Sequence, residues 1–216
     1  MAKFQGVRPI KPGERLYQPI YNLLLFQSAL ITAIESISGK HPPGGPRGPE
    51  SQIIVQSYTA EMRFGFPAYG PLEGALNNEP LEGIGVFFAP GVIPKNQIKN
   101  TADFPHFLDH FITAIFFLHF EQCNDWLVAN GHGDSSKWPA TVDFARVIRN
   151  AVAHGGRIKM DKTKKGNPPR PVRWKSLGYN ESNNGKSILG TEVFGPDLIA
   201  LMFDVDDELT GMGAPY

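Results

Sequence analysis

The sequence predicts an all-α fold: a helical bundle with a long Pro/Gly-rich insertion and a small β-hairpin excursion before the last helix. Three observations carry that prediction. Apolar residues recur at helical spacing over four stretches, near residues 16–38, 105–129, 135–154 and 195–209. The segments richest in glycine and proline, about 39–51 and 65–100, fall between those stretches rather than inside them. One pair of β-like segments, "VRWKSLGY" and "KSILGTEVF", flanks the turn residues "NESNNG" just before the final helix.

The first stretch carries Leu23, Leu24, Phe26, Leu30, Ile34 and Ile37 on a helical period, with Pro19 near its start, where a helix tolerates proline. It ends at Gly39, and in "GKHPPGGPRGPE" eight of twelve residues are Gly or Pro, which leaves no room for a regular element. Residues 52–64 fit either a helix or a strand. Residues 65–96 contain eleven Gly and Pro, the echo "PLEG" at Pro71 and Pro80 suggests two similar turns, and "GIGVFFAPGVIP" fits either a short strand or a segment that simply anchors this excursion to the core. A long apolar helix follows from about Pro105 to Ala129, with Asp103 as its cap and Gly131 or Gly133 as its stop. In the next helix Ser135 or Ser136 precedes the run, Pro139 lies near the first turn and Gly155 sits just past the end. "GPDLIALMFDVDDEL" closes the chain as an amphipathic helix. With 216 residues the chain is long enough to bury a core, and it reads as a single domain over 1–216 with irregular insertions about 39–51 and 65–100.

Composition narrows the function classes. The formal net charge is zero, but residues 157–175 hold eight basic side chains against one acid, and from residue 191 onward there are six acids and no Lys or Arg. Such a basic segment either binds a polyanion locally or pairs with the acidic tail. Cys123 is the only cysteine, so no intramolecular disulfide and no cysteine-based metal cluster forms. The N-terminus lacks the apolar core of a secretory signal, and "FITAIFFLHF" is about half the length needed to span a bilayer. A cytoplasmic protein without a membrane partner is expected.

The stretch richest in chemistry is "RVIRNAVAHGGR", residues 146–157. Phe144, Val147, Ile148, Ala151 and Val152 form one apolar stripe, while Asp143, Asn150 and His154 share a polar flank. Arg149 is five residues from His154, about 140° around the axis, so one ideal helix does not aim both at a single atom. Either the last turn unwinds at Gly155 and Gly156, or two copies of the helix meet about a two-fold axis in a homodimer. His titrates near neutrality and moves protons. Arg offers a fixed charge and a planar fork for phosphate, and Asn orients a hydroxyl or an imidazole without titrating. Together they suit metal-independent RNA cleavage by attack of a ribose 2′-hydroxyl on the adjacent phosphate, with no cofactor. The plainer alternative is a helix stopped by glycine, with His154 complementing the helix dipole and Arg149 solvated.

"RNAVAH", residues 149–154, resembles the Arg-(polar)-x3-His signature of the HEPN superfamily, and "PVRWKSLGY", "NNG" and "DLIALMFDVDDEL" resemble the C-terminal part of bacterial and mobile-element HEPN proteins. The likeness covers roughly residues 104–209, and only the six-residue signature is sharp. It implies a dimeric helical bundle, an endoribonuclease of toxin–antitoxin, phage-defence or RNA-processing type, and RNA with an antitoxin or regulatory protein as partners. Catalysis would fall to Arg149 and His154 with Asn150 in support. Other members of that superfamily are non-catalytic binding or dimerisation modules.

The basic run after the signature, with Arg157, Lys159, Lys162, Lys164 and Lys165, reads as an RNA cradle or equally as a solvated loop, and Trp174 reads as a core residue rather than a stacking platform. His106 and His110 have a metal-ligand spacing but no evident third ligand, so no metal is assigned. "NNGKS" lacks the first glycine of a phosphate loop and fits a turn with Gly185 at positive φ. His119 and Cys123 read as core residues.

Overall fold

The computed structural model describes residues 6–38, 52–67, 70–79, 81–94, 105–160 and 169–215. Two compact units result, Met1–Gln56 with Met62–Val92, and Ser57–Glu61 with Ile93–Tyr216. The expected all-α bundle is overturned by the first of them, which makes the fold mixed α/β.

The first unit contains β1 (Gly6–Ile10), α1 (Tyr17–Ser38), β2 (Gln52–Ser57), β3 (Met62–Pro67), α2 (Gly70–Asn77) and β4 (Ile84–Pro90). The four strands form one sheet in the order β1-β4-β3-β2. β4 pairs antiparallel with β1, Gly6 opposite Phe88 and Ile10 opposite Ile84, and with β3, Phe64 opposite Phe88. The proposed irregular insertion is therefore largely structure: of 65–100, the described part supplies the end of β3, α2 and β4, and the first "PLEG" lies inside α2 rather than in a turn. The strands are five to seven residues long, too short for periodicity to separate them from a buried helix turn. Pro9 is tolerated because β1 is an edge strand, where a missing N–H costs no ladder bond. Phe64, Phe66, Ile84 and Val86 are fully buried, as are Ile20, Leu23 and Leu24 of α1.

In the second unit the helical expectation holds. It contains α3 (Pro105–Ala129), α4 (Ala140–Ala153), β5 (Val172–Trp174), β6 (Leu177–Tyr179) and α5 (Gly195–Gly211). α3 and α4 pack on α5 and on each other. Ile112, Phe116, Phe120, Cys123 and Leu127 bury one stripe of α3, against Val147, Ile148 and Ala151 of α4 and Leu198, Met202 and Leu209 of α5 in the same core. Each side chain of Leu or Phe size so buried stabilises the fold by about 1.5–3 kcal/mol. Ser135 and Ser136 belong to a separate 3-10 turn capped by Asp134, so α4 begins only after Pro139.

The hairpin lies one segment earlier than expected. β5 and β6 both come from "VRWKSLGY" and are joined by Lys175 and Ser176, with Lys175 at φ +49°, while "NESNNG" forms a 3-10 turn. The Trp174 and Tyr179 rings each lie 5.7 Å from that of Phe144 of α4, Tyr179 stacked and Trp174 tilted, and Trp174 is buried in the core as expected. Among the described residues no helix is long and apolar enough to cross a membrane. Residues 39–51, Asp103 and the segment 161–168 lie outside the described residues.

Candidate functional site

α4 is regular up to Ala153, and its end is built by backbone geometry. The His154 N–H donates to the Asn150 and Ala151 carbonyls, 3.1 Å each, and the Gly156 N–H closes back on the Ala151 carbonyl at 2.8 Å. Gly155 and Gly156 take φ +66° and +81°, a left-handed reversal closed at low steric cost by glycine. α3 ends the same way through His132 on Leu127, and α5 through Ala214 on Leu209. The stop itself is thus a habit of this fold, and whatever is special to α4 resides in its polar side chains.

Arg149 is not a solvated flank residue. Its Nε donates to Glu121 of α3, its Nη1 donates to Asn150 Oδ1 at 3.3 Å, and its guanidinium lies 4.7 Å from the Phe117 ring centroid. Phe117 and Glu121 are one turn apart on α3, so the ring and the carboxylate present one receiving face. Two of the three predicted catalytic residues, Arg149 and Asn150, are thereby brought together. His154 is exposed and makes no side-chain hydrogen bond or ion pair with Arg149 or with any other described residue. The backbone leaves helical geometry only at His154 itself, φ −112° and ψ 34°, so the turn carrying Arg149 and Asn150 is not unwound.

The polar flank divides further. Asp143 is buried within α4, where Oδ1 accepts from Arg146 Nε and Oδ2 from Arg170 Nη2, at 2.8 and 2.7 Å. It anchors the chain returning from the basic segment and does not face His154's open end. Among the predicted RNA-binding residues, Arg157 and Lys159 are exposed on a short extended stretch, with Arg157 donating to the Gly185 carbonyl at 3.0 Å. Lys162, Lys164 and Lys165 lie outside the described residues. Part of the basic excess pairs with acids instead: Arg170 with Asp143, and Lys175 with Asp204 at 2.8 Å.

Glu121 and Phe117 are the contributors that sequence patterning missed, because a partner 28 residues away leaves no local signal. The side chain of His106 lies outside the described residues, and no group of three or more His, Cys, Asp or Glu among those described is placed to hold a metal. Gly185 has the expected positive φ, +84°, but in "NNGKS" it follows a 3-10 turn and no helix begins there. His119 and Cys123 are buried on α3, as expected.

Comparison of the chain with protein families, curated proteins and solved structures finds no match.

Proposed function

We propose that the second unit is a metal-independent endoribonuclease of HEPN type, acting in the cytoplasm as a toxin or in phage defence or RNA processing. The observation that carries the proposal is the fixed guanidinium of Arg149, held by Glu121 and Asn150 on the same α4 that ends in an exposed His154. His154 takes the proton of the ribose 2′-hydroxyl as its oxygen bonds to phosphorus. The bond from phosphorus to the 5′-oxygen breaks, and that oxygen leaves with a proton supplied by an imidazolium or water. Arg149 stabilises the charge that builds on the phosphoryl oxygens. Because α4 stays helical through both Arg149 and Asn150, the proposed cleft pairs Arg149 of one chain with His154 of a second copy.

A second reading has its own support. Glu121 already neutralises Arg149, as suits a non-catalytic module that binds nucleic acid or a protein partner, such as an antitoxin, across the same face. Cleavage of a mixed RNA substrate in EDTA by wild type, His154→Ala and Arg149→Ala separates the two. Loss of cleavage in both variants supports the enzyme; activity that survives both, or that requires added metal, sinks it. RNA binding without cleavage in the wild type selects the binding module.

A further inference from the structure

A cavity of about 530 Å³ opens against the α4 terminus, within the range of small-molecule pockets. Gly155, Gly156 and Gly190 line it, together with Thr113 of α3. A Cβ at Gly155 or Gly190 would meet nothing within 4 Å, so these walls are bare peptide facing open space, suited to the close approach of a flat ring. Phe194 lines the cavity with 43% of its surface exposed, so part of an aromatic side chain is open to a ligand there.

Electrostatics determine which part of a nucleotide fits. The start of α5 would attract an anion, but its Phe194 and Gly195 N–H groups are already taken by carboxylates, Asp197 Oδ2 and Asp109 Oδ1, at 3.0 Å each. A phosphate there would meet two negative charges, whereas an uncharged ring would not. The position along the chain is equally specific. His154 immediately precedes the cavity-lining Gly155 and Arg157 immediately follows the cavity-lining Gly156, and both are exposed, so a proton-moving group and a cation flank the glycine wall along the chain.

We propose that this cavity receives one unpaired nucleobase of the RNA strand, stacked on Phe194, and so selects where the strand is cut. The inference rests on the ribonuclease reading for its substrate, but its test does not require cleavage. Adenosine, guanosine, cytidine and uridine, which carry no phosphate, are titrated separately into the 15N-labelled full chain while the amide signals of Gly155, Gly156 and Gly190 are followed. Saturable shifts are expected with at least one nucleoside, about tenfold weaker in Phe194→Ala, the size of a lost base–aromatic stack. Val152→Phe, which fills the cavity from α4, should abolish the shifts, and His154→Ala should leave them intact.

No shift with any nucleoside, unchanged binding in both Phe194→Ala and Val152→Phe, or shifts with inorganic phosphate alone would overturn the proposal. If nucleosides bind but RNA stays whole, the pocket stands and the cleavage reading falls. If RNA is cut at the same positions by wild type and Phe194→Ala and no nucleoside binds, the pocket falls and the cleavage reading stands.

Discussion

Arg149 is ion-paired to Glu121 across the α3–α4 contact, with the two side chains 29% and 35% exposed. A pair this accessible contributes at most about 1 kcal/mol to stability, so its larger consequence is for charge. Glu121→Gln keeps an acceptor oxygen for Nε and removes the negative charge, which leaves Arg149 oriented but no longer neutralised. The variant should melt within a few degrees of wild type and bind single-stranded RNA more tightly. Its plot of log affinity against log salt should steepen by about 0.7, the increment for one further phosphate contact on a single strand. An unchanged slope would place Arg149 away from the nucleic acid.

Asp143 is the buried acid of α4, and it receives two arginines whose side chains are 28% and 46% exposed. Removing the carboxylate strands both cations beside the core, at a cost of about 2–3 kcal/mol after allowance for their access to water. Arg170→Ala leaves Arg146 to satisfy the acid and should cost about 1 kcal/mol. Denaturant unfolding of Asp143→Ala, Arg170→Ala and the double variant measures both. Near-wild-type stability of Asp143→Ala would contradict the burial of this carboxylate.

These two acids show what was legible in the sequence and what was not. α1, α3, α4 and α5 could be read because each writes its own apolar period over many turns, and Pro105–Ala129 matches the expected span. The sheet could not, because β1 finds its partner only at β4, with Gly6 opposite Phe88, and neither strand shows a long alternation. The end of α4 was legible for the same local reason: two glycines after His154 are themselves the capping geometry. Glu121 depends on Arg149, 28 residues on, and Asp143 on Arg170, 27 residues on, as well as on Arg146 in the next turn. Periodicity placed Asp143 on a polar flank, and only Arg146 and Arg170 make its burial tolerable.

Tyr179 on β6 gives the second unit an alkaline limit. Burial, reinforced by the neighbouring Glu192 carboxylate that accepts its hydroxyl proton at 3.1 Å, pushes the phenol well above its usual value of 10.0. Above pH 10 the unfolded chain loses this proton while the folded chain keeps it, so the folded state binds more protons and stability falls as pH rises. The contribution is fully present below about pH 10 and is lost progressively above it. Tyr179→Phe should cost about 1 kcal/mol at neutral pH through the lost hydrogen bond and flatten the decline between about pH 10 and 11. Thermal melts of both proteins across that interval test it, and parallel declines would assign the sensitivity to another group.

The composite cleft makes the sharpest demand, since it requires Arg149 and His154 to meet from different chains. Leu118 of α3 is 63% exposed and, at about 100° per residue, lies on the flank beside Glu121, which holds Arg149, so a second copy covering that flank would bury it. Leu118→Glu should therefore yield a folded monomer without cleavage, checked by sedimentation and by the EDTA assay. Mixing the two inactive variants then tests the geometry directly. A heterodimer of Arg149→Ala and His154→Ala has one cleft lacking both groups and one with both intact. Random re-association should restore about a quarter of wild-type activity, because half of the dimers are mixed and each has one working cleft of two. If Arg149 and His154 instead act within a single chain, every cleft in the mixture lacks one group and no activity returns.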